Sequence, residues 1–198
     1  MRSITVYNSV TLDGVMQAPG GADEDTRGGF PHGGWAVPYA DEVTMDPASG
    51  GPGELLLGRR TYQSMEAGWR HAPDDLPFAT IMNRSTKYVT SRTLAAPLGW
   101  QNSVLLEGEA VDAVTSLKDT EGADLTVLGS GELVRSLAGA GLIDRFVLLI
   151  HPLLLGTGVR LFDAGSPYAR LCLVDVKPSP SGVIIAVYEH APSAPATR

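Results

Sequence analysis

Three short stretches of this chain carry the residue types that hold phosphate. Gly58-Arg59-Arg60-Thr61 follows the apolar run Leu55-Leu56-Leu57, so a strand should end there and a helix begin. The glycine permits the turn, the N–H groups of a helix start donate to an anion, and each guanidinium offers a bidentate fork. Thr90-Ser91-Arg92 repeats the pattern at the end of the run KYVT, with two hydroxyls and an arginine. Gly129-Ser130-Gly131 ends a third apolar run, LTVL, and residues without a side chain let backbone donors approach a ligand closely. Two basic-plus-hydroxyl turns and a glycine turn suit a ligand with several phosphates, such as a dinucleotide. Each stretch also has a plainer reading: solvated surface arginines, hydroxyls that cap a turn, and a tight turn with no ligand.

Other chemistries find little support. There is no three-glycine dinucleotide fingerprint after the first strand, no GxxxxGK[ST] loop, no GxSxG elbow, and no CxxC or HExxH spacing. The four histidines, His32, His71, His151 and His190, are scattered, and His151 before Pro152 reads as a packed or hydrogen-bonded residue rather than a catalyst. The single cysteine, Cys172, sits in the apolar run LCLV and reads as a buried core thiol.

The elements that must position these turns follow from periodicity. Leu125 to Gly158 is the organising stretch: strand, glycine turn, helix, strand, glycine turn. Leu133, Val134 and Leu137 make one face of a helix over Glu132 to Ala138, and Gly139 and Gly141 stop it. Arg145 to Leu155 is the second apolar run, so a crossover and a parallel pair are expected. Upstream, Ser3 to Ser9 alternates as a strand and Thr11-Leu12-Asp13-Gly14 turns it. Gln17 to Gly34 holds six glycines in eighteen residues, a long polar loop that is either a surface excursion or a lid over a site beside Asp13. A helix is expected over Trp35 to Met45, a break over Pro47 to Gly53, a strand over Glu54 to Gly58 and a helix or turn from Arg59 to Met65. Pro73 and Pro77 bracket a loop. Further strands are expected at Ala79 to Met82, Lys87 to Thr90 and Asn102 to Leu106, and an amphipathic helix over Val111 to Thr120. Leu171 to Val176 and Val183 to His190 read as a closing antiparallel hairpin, and residues 191–198 as a flexible tail. The sum is one α/β domain over residues 1–190 with a mixed, mostly parallel sheet.

The chain has 198 residues, 43% of them hydrophobic, enough for a real core. A net charge of −7 argues against a nucleic-acid surface but not against a small anionic ligand in a local positive pocket. No run suits a signal peptide or a bilayer span, so a cytoplasmic protein without membrane contact is expected.

The motifs also carry a resemblance. LLLGRRTYQSM resembles the strand, GRxT turn and helix of dihydrofolate reductases. VTLDGV resembles the SLDG turn of the reductase domain of riboflavin biosynthesis proteins, and LGSGELVRSLAGAGLIDRFVLLIHPLLLGTGVRLF is similar to the C-terminal signature of the same superfamily, in its stand-alone members. The resemblance implies a dihydrofolate-reductase-like three-layer fold, a homodimer, and NADPH as cofactor. By motif position Gly58, Arg59, Arg60 and Thr61 would hold the adenosine phosphate and pyrophosphate. Thr90, Ser91 and Arg92 would flank the 2′-phosphate, and Gly129, Ser130, Gly131, Glu132 and Leu133 would pass beneath the pyrophosphate and nicotinamide. The activity implied is reduction of a small heterocyclic, ribosylamino-pyrimidine or pterin-like substrate. Trp35 and Tyr39 could stack on a planar ring, with Asp13 also near the substrate. The proton would come from Asp13, Asp41, Glu42 or an ordered water, with Asp13 and Glu42 the chosen catalytic candidates; a carboxylic acid needs a raised pKa for that role. The alternative is a non-catalytic protein binding a flavin or deazaflavin nucleotide on the same fold.

Overall fold

The computed structural model describes residues 1–45, 53–73 and 76–191. Eight strands form one sheet: β1 (Ile4–Thr11), β2 (Glu54–Gly58), β3 (Lys87–Thr90), β4 (Ser103–Leu106), β5 (Leu125–Leu128), β6 (Arg145–His151), β7 (Leu171–Pro178) and β8 (Ile184–His190). Among the described residues four α-helices accompany them: α1 (Arg59–Trp69), α2 (Pro77–Arg84), α3 (Ala110–Lys118) and α4 (Gly131–Gly139). Across the sheet the order is β4-β3-β2-β5-β1-β6-β8-β7. The joints from β4 to β6 are parallel, and those of β6 with β8 and β8 with β7 are antiparallel.

Alternation along β2 explains the layers. Successive side chains point to opposite faces. Leu56 joins Val6, Val127 and Phe146 under α3 and α4, which contribute Val114, Leu117, Leu133, Val134 and Leu137. Leu55 and Leu57 point the other way, into a core with Tyr62 of α1, Met82 of α2 and Trp100. On that second face, beyond β1, the helices give way to the segment after Gly34: Tyr39 and Val43 pack on Val147, Leu149, Val183 and Ile185.

Several expectations are corrected. Trp35 to Met45 is not a helix; it holds a single 3-10 turn, Val37–Tyr39, followed by a turn closed on Asp41. The cause is local capture: Asp41 Oδ1 accepts the N–H groups of Val43 (3.0 Å) and Thr44 (2.8 Å), while the Asp41 N–H donates to Thr44 Oγ1 (2.8 Å). That alternative competes with helix propagation. Ala79 to Met82 is not a strand but lies within α2, which Pro77 opens in the first turn, where proline is tolerated. A four-residue apolar run carries too little periodicity to tell the two apart. β6 stops at His151, because Pro152 cannot donate to a ladder. β5 and β6 run parallel but are not neighbours; β1 lies between them. Cys172 is exposed, not a core thiol. Gln17 to Gly34 is a mostly exposed surface loop whose ends are tied to the body. The side-chain amide of Gln17 donates to the carbonyls of Asp25 and Arg27 and accepts the Val159 N–H, while Val15, Ala18, Phe30 and Trp35 form a small core of their own. The expected break at Pro47 and the tail beyond Ala191 lie outside the described residues.

Candidate functional site

The three phosphate-type turns stand side by side at the carboxyl ends of adjacent parallel strands, where ligands of open α/β sheets bind. Gly58 of β2 is in register with Thr90 of β3, and Leu56 with Val127 of β5, so the turns after residues 58, 90 and 128 share one rim. Two of them are laced together. The Gly58 N–H donates to Ser130 Oγ (3.0 Å), and the Ser130 N–H donates to Thr61 Oγ1 (3.0 Å). From β1, Asn8 Nδ2 donates to the Gly129 carbonyl (2.9 Å). Gly129 and Ser130 both have positive φ, 55° and 54°, which swings the chain sharply into α4. A Cβ on Gly129 would meet Thr61 Cγ2 at 3.0 Å, so only glycine fits this left-handed position without displacing its neighbour.

Charge at the rim is unevenly committed. Arg60 pairs with Glu132 across the two turns (3.0 Å), both groups well exposed. Half-buried Arg59 and exposed Arg92 have no hydrogen bond or ion pair among the described residues. Neither α1 nor α4 has a side-chain cap, which leaves their first N–H groups turned to the rim. The hydroxyls expected to bind are engaged locally instead. Ser91 Oγ accepts from the N–H groups of Thr93 (3.1 Å) and Leu94 (2.9 Å), and buried Thr90 points its hydroxyl at the Leu57 carbonyl (3.5 Å). At this rim, then, arginines, helix starts and a glycine bend are available to an anion, while most hydroxyls hold the turns in shape. Leu133 is buried in the core under α4.

The expected catalytic carboxylates are placed otherwise. Asp13 Oδ1 accepts the Thr11 hydroxyl (2.5 Å) and the Leu155 N–H (3.3 Å), its Oδ2 accepts the Gly156 N–H (2.8 Å), and Arg160 Nη2 stands 3.7 Å away. The Thr11 hydrogen bond, with the backbone donors, outweighs burial and brings its pKa down to about 2. Asp13 is therefore an ionised clasp between the end of β1 and the loop after β6, unsuited to donating a proton at neutral pH. Asp41 is likewise committed: burial pushes it up, but the Thr44 N–H, the Ser181 N–H (3.0 Å) and the Ser179 and Ser181 hydroxyls hold it well below the usual range. Glu42 is exposed beside it, next to the β7–β8 turn. That is three strands along from the glycine turn, roughly 14 Å by strand spacing.

Trp35 and Tyr39 do meet, but around a residue rather than in open space. Their rings stand edge-on to His151 at 5.0 and 5.5 Å between centroids. Trp35 is buried and its Nε1 donates to the Gln17 carbonyl (2.7 Å). His151, 3% exposed, is in register with Thr11 at the end of β6, and neither ring nitrogen has a hydrogen-bond partner. Burial lowers its pKa to about 4, so the imidazole is neutral at physiological pH. His151 is packed, as its sequence context implied, while Asn8 and Met16 are the residues at this rim that sequence reasoning missed. Met16 Sδ lies 2.6 Å from where a Cβ on Gly131 would stand, so its thioether covers the start of α4. Among the described residues no group of His, Cys, Asp and Glu is arranged to hold a metal ion, and no helix is long and apolar enough to cross a membrane.

An eight-stranded sheet, parallel except for its C-terminal pair, places the molecule in the dihydrofolate-reductase-like class of α/β proteins. The chain belongs to the family described as the RibD C-terminal domain, whose model matches residues 2–185. It is similar to two proteins of Bacillus subtilis (strain 168), both uncharacterised: YyaP, 27% identical over 201 residues with 94% of each chain covered, and YwjB, 26% identical over 180 residues with 89% of this chain and 91% of that one covered. Among solved structures, a putative riboflavin biosynthesis protein from Shewanella sp. PV-4 superposes with a TM-score of 0.72 at 20% identity, covering 96% of this chain and 99% of that one. A pyrimidine reductase-like protein from Corynebacterium diphtheriae gives 0.62 at 14% identity, with 97% and 93% covered. Dihydrofolate reductase from Enterococcus faecalis, complexed with NADP(H) and RAB-propyl, gives 0.59 at 14% identity, with 95% and 96% covered. The family and the fold are those of reductases.

Proposed function

We propose that this chain is an NADPH-dependent reductase of a small planar heterocycle of the ribosylamino-pyrimidine or pterin kind. The observation that carries the reading is the single rim on which Arg59, Arg92 and the Gly129–Gly131 bend come together with both arginines uncommitted. The cradle fits a dinucleotide: two arginines for phosphate, two uncapped helix starts, and a bend that a Cβ would fill. In this reading Arg59 and Arg60 grip the adenosine phosphate and pyrophosphate, with Thr61 holding the turn beneath them. Arg92 faces the 2′-phosphate, and residues 129–132 pass under the pyrophosphate and nicotinamide. NADPH, when bound, supplies the hydride; the chain binds, orients and excludes water.

The order of strands then sets the substrate end. A ligand whose phosphates lie over β3, β2 and β5 points its other end toward β1 and β6. There half-buried Tyr39 offers a ring, backed edge-on by buried His151. We assign Tyr39 to the heterocycle and leave Asp13 to its structural clasp.

A second reading has one observation in its favour: Asp13 and Asp41, the two shifted carboxyls beside β1 and β8, are both lowered, the wrong direction for an acid catalyst. A flavin or deazaflavin nucleotide needs no such group. Thermal melts with NADPH, NADH, FMN and a deazaflavin separate the two. A ligand at a hundredfold its Kd adds about 2.7 kcal/mol. The reductase reading expects the largest shift with NADPH; a shift with a flavin or deazaflavin and none with either nicotinamide nucleotide selects the other.

A further inference from the structure

The loop that follows β1 returns to the phosphate rim. Met16 lies over Gly131, and the side-chain amide of the next residue, Gln17, donates to the Arg27 carbonyl at 3.0 Å. Arg27 is thereby anchored beside the start of α4. Asp25 fixes its guanidinium: Nε donates to Oδ1 (2.7 Å) and Nη2 to Oδ2 (2.5 Å). That fork uses one edge of the group and leaves Nη1 without a hydrogen bond among the described residues. Glu132 of α4 is within electrostatic reach. The hydrogen bond to Asp25 raises the Arg27 pKa most, burial opposes it, and attraction to Asp25 and Glu132 adds to the rise. Glu132 accepts one hydrogen bond, from Arg60 Nη1 at 3.0 Å, and is 78% exposed. A third cation, Arg135, has its Nη1 3.4 Å from where a Cβ on Gly131 would stand. It is committed to the carbonyls of Arg160 (3.1 Å) and Leu161 (3.2 Å) and to Asp163.

We propose that Arg27 is a further phosphate-binding residue of this rim, and that the Glu132 carboxylate stands in for the phosphate in the nucleotide-free chain. Charge balance carries the second half. Around the start of α4 the arginines Arg27, Arg60 and Arg135 are paired with the carboxylates Asp25, Glu132 and Asp163. The cluster is neutral as it stands, so a phosphate gains from the arginines only where a carboxylate gives way. Asp25 is gripped on both oxygens by Arg27, and its Oδ1 also accepts the Arg27 N–H (3.2 Å). Asp163 accepts the Gly165 N–H (3.0 Å) as well as facing Arg135. Glu132 has a single exposed contact and is the one that leaves. Its departure hands Arg60 and the free edge of Arg27 to the incoming oxygen, in front of the uncapped N–H groups of α4. By strand order this is the phosphate on the nicotinamide side of the pyrophosphate. The inference rests on the nucleotide reading of the rim given above.

Two probes separate phosphate binding from ordering of the loop. NADPH carries the whole pyrophosphate, whereas adenosine 2′,5′-bisphosphate ends at the adenosine-side phosphate. Both are titrated calorimetrically into the natural chain, Arg27→Ala and Glu132→Gln. Arg27→Ala should weaken NADPH about tenfold and leave the bisphosphate unchanged. Glu132→Gln should tighten NADPH about two- to fivefold, because no carboxylate has to be displaced. Equal losses for both probes in Arg27→Ala would mean that the arginine only orders its loop, and would overturn the inference. So would an unchanged NADPH affinity in either variant, or a weaker one in Glu132→Gln, while the natural chain binds NADPH. A natural chain that binds neither probe removes the nucleotide reading itself, and this inference with it.

Discussion

Thr61 joins two turns separated by 69 positions in the chain, and it does so with one hydroxyl. Thr61→Val keeps the shape and removes the acceptor for the Ser130 N–H. A stability loss of about 1–3 kcal/mol is expected, read by denaturant melts, with NADPH binding weakened because the bend it holds is the cradle. His151 gives a second prediction. Its pKa in the folded chain, about 4, lies below the ordinary 6.5, so the unfolded chain takes up the proton first. The stability it contributes is full above about pH 6.5 and is lost as the pH falls through 4, by roughly 1–3 kcal/mol. His151→Leu should abolish that limb of the stability–pH curve while costing little at pH 7.5. Asp13 acts in a lower window: with a pKa of about 2 against an ordinary 3.8, its contribution is present above 3.8 and lost toward 2. Asp13→Asn should remove only that lower limb. If it also erased activity while leaving stability unchanged, the clasp assignment would be wrong.

At the scale of elements, what the sequence disclosed was whatever depended on near neighbours. The Gly58-Arg59-Arg60-Thr61 and Gly129-Ser130-Gly131 turns were legible because glycine, arginine and hydroxyl residues at a strand end specify a turn by themselves. Trp35 to Met45 was misread because its outcome rests on one carboxylate, Asp41, capturing two N–H groups, which no apolar period records. Cys172 was misread because an edge strand with two uncovered faces has the same composition as a buried one. The far end of the rim, beside β1 and β8, was illegible for a third reason. The contacts of Asp13 with Gly156, and of Asp41 with Ser181, span 143 and 140 residues and exist only after the sheet has formed. Buried Lys87, opening β3, makes a joint that is short in sequence but just as invisible to periodicity. Its Nζ donates to the Met82 and Ser85 carbonyls at 2.8 and 2.7 Å and lies 4.5 Å from the Trp100 ring, fastening the end of α2 to the sheet. Lys87→Met should destabilise by about 1–3 kcal/mol and lower the melting temperature without altering nucleotide affinity.

For the whole molecule, the order β4-β3-β2-β5-β1-β6-β8-β7 decides the functional reading. It sets the turns after β2, β3 and β5 on neighbouring strands, puts the ends of β1 and β6 beside them, where the proposed function places the substrate, and leaves β7 at an open edge. The measurement nearest to the central claim is direct titration of NADPH and NADH into the natural chain, Arg59→Ala and Arg92→Ala. The account expects saturable NADPH binding, weakened about 10- to 100-fold by either substitution. Only Arg92→Ala should narrow the preference for NADPH over NADH, because only Arg92 is assigned to the 2′-phosphate. Unchanged affinity for both nucleotides in both variants would contradict it.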